Sequence, residues 1–138
     1  MTDYQKPLPV PDGDTQPYWS AAKEHRLTIQ LCQDCRQAIF YPRSVCPHCM
    51  SDRIEWIEAS GRGTIYSYTV VHRSPAQFKD DVPYVVALID LEEGVRMMSN
   101  VVGCPPSDVS IGAAVEVLFD HVTPEITLPK FRLAPGTR

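Results

Sequence analysis

Residues 32–49 read CQDCRQAIFYPRSVCPHC. Cys32 and Cys35 form one CxxC, Cys46 and Cys49 a second, and ten residues lie between the pairs. A CxxC turn brings two sulfurs to the same side of a tight loop, near enough for both to reach one tetrahedral ion at about 2.3 Å. Two such knuckles facing each other across a short hairpin close a four-cysteine site, the pattern of a structural metal. Cys32, Cys35, Cys46 and Cys49 are therefore expected to hold Zn²⁺, with iron of the rubredoxin kind as the alternative. Disulfides need an oxidising compartment, and a single redox CxxC leaves the second pair unexplained. Four thiolates around Zn²⁺ leave a local charge of about −2, which Arg36, Arg43 and Arg53 stand near enough in sequence to soften. His48 sits between two better-spaced cysteines and is expected beside the site, not in it. The fifth cysteine, Cys104, follows Gly103 and precedes two prolines; it reads as a small buried hydrophobe.

On either side of the knuckles the pattern is one of strands. Residues 27–31 (LTIQL) alternate apolar and polar and lead into the first knuckle; Phe40-Tyr41-Pro42 starts the return arm, and Ile54 to Glu58 alternates again. Before them, a short helix is expected from Thr15 or Gln16 to His25. Thr15 is its candidate cap, Pro17 suits its first turn, and Tyr18, Trp19, Ala21 and Ala22 form its apolar side. Residues 1–14, with three prolines at 7, 9 and 11, read as an extended arm.

Beyond residue 60 the chain reads as strands only. Arg62 to Val71 is β-branched and aromatic, placing Thr64, Tyr66, Tyr68 and Val70 on one face. Tyr84 to Leu91 is nearly all apolar, as a strand buried on both faces would be. Glu92-Glu93-Gly94 turns the chain into a hairpin partner over Val95 to Val102. Pro105 to Ser110 allows at most one helical turn. Val115 to Phe119 turns Val115, Val117 and Phe119 to one side, and Phe131 to Leu133 is a last short strand. Five strands with a hairpin at the second and third, and a brief helical element before the fourth, suit an OB-type barrel. An SH3-like barrel or an open sandwich is the competing architecture. Gly61 and Gly63 fall where the first barrel strand must coil sharply. The expected organisation is an arm and short helix over 1–26, a zinc ribbon over 27–59 and an OB barrel with its tail over 60–138, a mostly β chain.

Composition sets the outer limits. The 138 residues are 43% hydrophobic and 22% charged, a globular balance. The longest unbroken apolar run, Tyr84 to Ile89, is far short of the roughly 20 residues of a membrane helix. The polar, proline-broken N-terminus lacks the apolar stretch of a secretory signal, so a cytoplasmic location is expected. The net charge of −4 argues against gripping nucleic-acid phosphates. Its distribution is uneven: residues 36–79 carry three acids and six bases, residues 80–125 nine acids and one base.

No nucleophile elbow, P-loop or zinc-protease motif occurs. Asp90, Glu92 and Glu93 cluster at the hairpin and are explained by turn chemistry. His72 and His121 are isolated in sequence. His72-Arg73 and the loop Ser74 to Pro83 lie where an OB barrel rims its ligand face.

Taken together, the short helix, the paired CxxC knuckles, SGRGTIYSYTVVHR (60–73), PYVVALIDLEEGVRMMSNVVG (83–103), IGAAVEVLF (111–119) and LPKFR (128–132) resemble one family. It is the OB-fold, zinc-ribbon, acyl-CoA-associated family once catalogued as a domain of unknown function, and the likeness runs from about Tyr18 to Arg132. The resemblance implies a rubredoxin-like ribbon on an OB barrel, with structural zinc on Cys32, Cys35, Cys46 and Cys49. It also implies an accessory subunit, in a hetero-oligomer with a thiolase-like or lipid-transfer-protein-like enzyme acting on acyl-CoA thioesters in lipid or aromatic-compound metabolism. Catalytic residues would belong to that partner, so none is assigned here. Phosphates of CoA would need cations, for which Arg43, Arg62, Arg73, Lys130 and Arg132 are the candidates. Where the family's knuckles end in glycine this chain has Arg36 and Met50, at positions that need a positive φ. The other readings are a single-stranded nucleic-acid module, with Tyr66 and Tyr68 as a stacking stripe, and an iron-loaded electron carrier.

Overall fold

The computed structural model describes residues 8–73 and 82–135. The first seven residues of the expected arm, most of the loop flagged after His72 and the end of the tail lie outside the described residues. Among the described residues there are, in chain order, one α-helix, α1 (Gln16–Lys23), and eight strands. They are β1 (Thr28–Cys32), β2 (Ala38–Ile39), β3 (Ile54–Glu58), β4 (Arg62–Val71), β5 (Tyr84–Leu91), β6 (Arg96–Val101), β7 (Ala114–His121) and β8 (Thr127–Leu133).

Two sheets divide these strands. β1 sits between β2 and β3 in a three-stranded antiparallel sheet, and β4-β5-β6-β8-β7 close into a barrel by pairing β7 back onto β4. Counting barrel strands alone, the order is 1-2-3-5-4, with the third and fifth parallel at Val101↔Phe131. This is the five-stranded Greek-key barrel of an OB fold, and closure excludes the open sandwich. A single 3-10 turn, Pro106–Asp108, precedes the fourth barrel strand.

One apolar core joins the parts. Tyr18 of α1, Leu27, and Ile29 of β1 lie in the same buried cluster as Ile65, Ile89, Val115 and Phe131 of the barrel. A second, much smaller cluster holds Cys32, Ile39 and Cys46 alone, with Cys35 and Ile54 packed against it. The ribbon is thus divided: its β1 base belongs to the barrel core and its knuckle end does not.

The structure corrects several expectations. The proposed tyrosine stripe does not exist, because a β-bulge follows Ile65: Ile65 pairs with Ile89, but Ser67 pairs with Leu88. The extra residue shifts the side-chain alternation by one. Tyr66 is left outside, with the Arg96 guanidinium 3.4 Å from its ring centroid, while Tyr68 and Val70 turn toward the core. β5 is buried on one face, not both: Val85, Ala87, Ile89 and Leu91 are buried and the residues between them half-buried. The last strand begins at Thr127 and runs through Pro129. Its bond to β6 is a single register pair, so a residue without an amide donor does not break the ladder there, and the Ser99 hydroxyl donates to the Pro129 carbonyl. Thr15 occupies the N-cap of α1 as expected but does not cap the helix with its side chain. Its hydroxyl is engaged by Asp12, whose Oδ1 accepts from the Thr15 hydroxyl at 3.0 Å and from the Thr15 amide at 2.9 Å.

The two glycines at the start of β4, Gly61 just before it and Gly63 within it, have a steric explanation. A Cβ on Gly63 would sit 2.5 Å from the Asp90 carbonyl oxygen, and one on Gly61, at φ +83, 2.5 Å from Val117 Cγ1. Close approach of neighbouring strands at the barrel seam requires hydrogen in both places.

Candidate metal centre

The two knuckles are built alike, bond for bond. In the first, the Cys32 amide donates to the Gln37 carbonyl at 3.0 Å and the Arg36 amide to the Cys32 carbonyl at 2.9 Å. In the second, the Cys46 amide donates to Ser51 at 2.8 Å and the Met50 amide to Cys46 at 2.9 Å. Each loop reverses through a left-handed residue, Arg36 at φ 63 and Met50 at φ 69. Non-glycine residues adopt this conformation at modest cost, and a metal holding both sulfurs of a knuckle would offset it.

All four sulfurs lie within 4.8 Å of one another. Cys32 Sγ is 3.6 Å from Cys49 Sγ, and Cys35 Sγ is 3.7 Å from Cys46 Sγ. A tetrahedron with metal–sulfur bonds of about 2.3 Å has edges of about 3.8 Å, so these separations fit one ion between four thiolates. They are far longer than the roughly 2.05 Å of a disulfide. Amides complete the polar surroundings: Cys35 donates to Cys32 Sγ at 3.5 Å and His48 to Cys46 Sγ at 3.3 Å. The Cys35 amide is the largest influence on the Cys32 thiol, burial opposes it, and the thiol is lowered to about 6. At Cys49 the Ser51 amide pulls downward, but desolvation and the other three sulfurs outweigh it and push the thiol up to about 12. One sulfur is readily ionised and its opposite number resists ionisation, as expected where thiolates crowd together before a cation is bound.

The charges around the site are shared with acids. Arg53 pairs with Asp34 at 2.8 Å, and Asp34 also accepts from the Ser51 hydroxyl, tying the knuckles together across their tips. Arg36 stands 3.8 Å from Glu55. His48 is exposed and contributes its backbone, in keeping with the expectation that it is no ligand.

A contributor that periodicity missed is Gln30. In the LTIQL alternation it reads as an outward polar residue, yet it is 3% exposed. Its side chain brackets the backbone of Arg43, donating to the carbonyl at 2.8 Å and accepting from the amide at 2.7 Å. That bracket fixes the approach to the second knuckle onto β1.

The five candidate CoA cations do not gather in one patch. Arg62, Glu116 and Arg132 are successive cross-strand neighbours on β4, β7 and β8, with Arg132 paired to Glu116 at 2.7 Å and Arg62 to Glu92 at 3.0 Å. Mutual hydrogen bonding holds Arg62 above and Glu92 below their ordinary ranges. Lys130 pairs with Asp120 at 2.7 Å. Arg43 and Arg73 are exposed and, among the described residues, carry no ion pair. A cleft of about 360 Å³ opens beside Arg62, lined also by Asp90, Glu92 and Glu116. A larger one, about 460 Å³, lies between the knuckles and the β5–β6 turn, with Arg36, Phe40, His48 and Arg96 on its walls. Cys104 is half-buried against the core, and burial and then Asp108 push its thiol upward, away from activation.

Comparison with known proteins agrees with this architecture. Residues 19–55 match the ChsH2 rubredoxin-like zinc ribbon domain and residues 56–120 the ChsH2 C-terminal OB-fold domain. A probable enoyl-CoA hydratase alpha subunit of Thermomonospora curvata is 41% identical over 129 residues, 94% of this chain but 40% of that protein. The chain therefore spans well under half of that relative. A DUF35 domain-containing scaffold protein of Methanocaldococcus jannaschii is 41% identical over 106 residues, 75% of each chain. Over a shorter stretch of 76 residues, covering 55% of this chain and 51% of that one, subunit BbsA of the benzoylsuccinyl-CoA thiolase of Thauera aromatica is 34% identical. Among solved structures, the Ltp2-ChsH2(DUF35) aldolase superposes with a TM-score of 0.83 at 40% identity, over 91% of this chain and 98% of that one. With both segments matched and a solved relative covered almost end to end, this chain belongs to the DUF35 family of ChsH2-type zinc-ribbon and OB-fold proteins.

Proposed function

We propose that this chain is a non-catalytic zinc-ribbon and OB-fold subunit that docks a thiolase-like enzyme, a thiolase or an aldolase, and helps bind or channel an acyl-CoA thioester. The setting is degradation of a steroid side chain, an aromatic compound or a fatty acid. The observation that carries this is the near-complete superposition on the DUF35 chain of an aldolase whose name pairs it with a second component, Ltp2. The names of the hydratase alpha subunit and the thiolase subunit BbsA support the same class of role. In this reading Cys32, Cys35, Cys46 and Cys49 hold Zn²⁺ and lock the ribbon's outer end. The arm and helix of 1–26, the ribbon of 27–59 and the barrel of 60–138 act as one docking body. Arg43 and Arg73, exposed and without an ion pair among the described residues, would meet CoA phosphates directly. Arg62, Lys130 and Arg132 would do so by exchanging a carboxylate for a phosphate, a trade between two charge-assisted partners.

The test is co-expression with a thiolase-like protein encoded beside it, followed by size-exclusion chromatography and assay of the partner's thioester chemistry. Co-elution, with partner activity that drops when this chain is omitted, is expected. Independent elution with unchanged partner activity refutes the proposal.

A further inference from the structure

Two histidines that look unrelated in sequence meet in space. His25 Nε2 lies 2.5 Å from His121 Nε2, the rings 96 residues apart along the chain and 4.7 Å between centroids. Both are held by structure around them. His25 follows the last turn of α1 in the left-handed conformation, φ 63, where helices most often end in glycine, and its amide donates to the Ala22 carbonyl at 3.0 Å. Its ring stacks on Phe119 at 5.2 Å between centroids, 19° from parallel. His121 is the last residue of β7, and its Nδ1 is 2.8 Å from the hydroxyl of Thr127, its register partner at the start of β8. Thr127 is 1% exposed, buried beside that ring.

We propose that His25 and His121 form a second metal site, a two-imidazole chelate for a borderline divalent cation, distinct from the four-cysteine centre. When the Thr127 hydroxyl accepts from Nδ1–H, the lone pair of His121 Nε2 points at His25, which is how ligating histidines are oriented by an outer partner. Imidazole nitrogen suits Zn²⁺, Ni²⁺ and Cu²⁺. Bonds of about 2.0–2.1 Å to each nitrogen place the two nitrogens roughly 3.4 Å apart in a tetrahedron, so the rings must part by about 1 Å. Both rings are exposed and one sits at a helix end, which leaves room for that. The acids next in sequence are committed elsewhere, Glu24 to Arg26 at 2.6 Å and Asp120 to Lys130 at 2.7 Å. Water therefore completes the coordination. The ion would pin the end of α1 to the rim of the barrel, joining the N-terminal helix to β7 by a bond the apolar core does not supply.

The probe is Ni²⁺, titrated calorimetrically into protein whose four-cysteine site is already filled with Zn²⁺. One Ni²⁺ per chain is expected, bound about tenfold or more weaker in His25→Ala and in His121→Ala, and unchanged in His72→Ala. In the unmodified protein, Ni²⁺ should broaden the ring signals of His25 and His121 in NMR spectra before those of His48 and His72, and should raise the unfolding temperature. Equal Ni²⁺ affinity in the unmodified protein and either variant, no stoichiometric binding, or broadening centred on His48 or His72 overturns the proposal.

Discussion

Stripping the metal from the four-cysteine site should unfold one end of the ribbon and leave the rest standing. The reason lies in the division between the two buried clusters. At the knuckle end, Ile39 is the one residue besides Cys32 and Cys46 in the buried apolar cluster, and Pro42 is the other buried residue between the knuckles. The burial of Ile39 is worth about 1.5–3 kcal/mol. Ordering backbone costs roughly 1–2 kcal/mol per residue, so Ile39 offsets the ordering of one or two residues out of the twenty or so between β1 and β3. Metal ligation of this kind supplies about 10–16 kcal/mol, apparent, in zinc-finger peptides. Leu27 and Ile29, by contrast, are buried in the barrel's own cluster and owe the metal nothing. Hydrogen exchange measured before and after chelation under reducing conditions, or on Cys46→Ser, reads this directly. Protection should vanish at the amides of Cys32, Arg36, Cys46 and Met50, and at Gln33, which donates to the Arg53 carbonyl at 2.9 Å. It should persist at Ala59, bonded to Leu27, at Val117, bonded to Gly61, and at Val102, bonded to Phe131. If knuckle amides keep their protection without metal, or if barrel amides lose theirs in equal measure, the division of the molecule argued here is wrong.

Two further outcomes follow from single residues. Phe131 is fully buried and stands at the parallel junction of β8 with β6, opposite Val101 there and Val117 on β7. Phe131→Ala should cost about 3–5 kcal/mol in urea denaturation of metal-loaded protein, and a loss below about 1 kcal/mol would show that the β6–β8 junction does not depend on packing there. The Asp12 carboxylate is held below its usual range, first by the Thr15 amide and then by the Thr15 hydroxyl. Its support for the start of α1 is fully present above the unfolded aspartate value of about 3.9 and is lost as pH falls through the lower folded value. An NMR titration should place the Asp12 midpoint below that of an unstructured aspartate, and a midpoint at or above it contradicts the assigned bonds.

How much of this was legible from residue order depends on the distance over which each feature is set. The metal knuckles were, because a CxxC places both sulfurs within one turn whatever the rest of the chain does. The β5–β6 hairpin was too, since Glu92-Glu93-Gly94 supplies its own turn chemistry, Gly94 taking φ +96. Gln30 was not legible because an alternating pattern assigns a polar residue to the outside and cannot show a distant backbone, that of Arg43, waiting to pair with it. Thr15 does take the N-cap position, but its hydroxyl is not spent on the helix because Asp12, itself a good turn former, competes for it.

By itself, the order of residues determined the four-cysteine cluster, the helix that precedes it and the succession of barrel strands, all of which rest on spacing and alternation within a few residues. Tertiary structure alone decided which tyrosine faces the core, since one bulged residue opposite Ile89 and Leu88 inverts everything after it. It decided also which cations are already neutralised and that His25 and His121 share one point in space. Those outcomes depend on register between strands distant in the chain, and register is set by the packing of the whole barrel rather than by any local stretch.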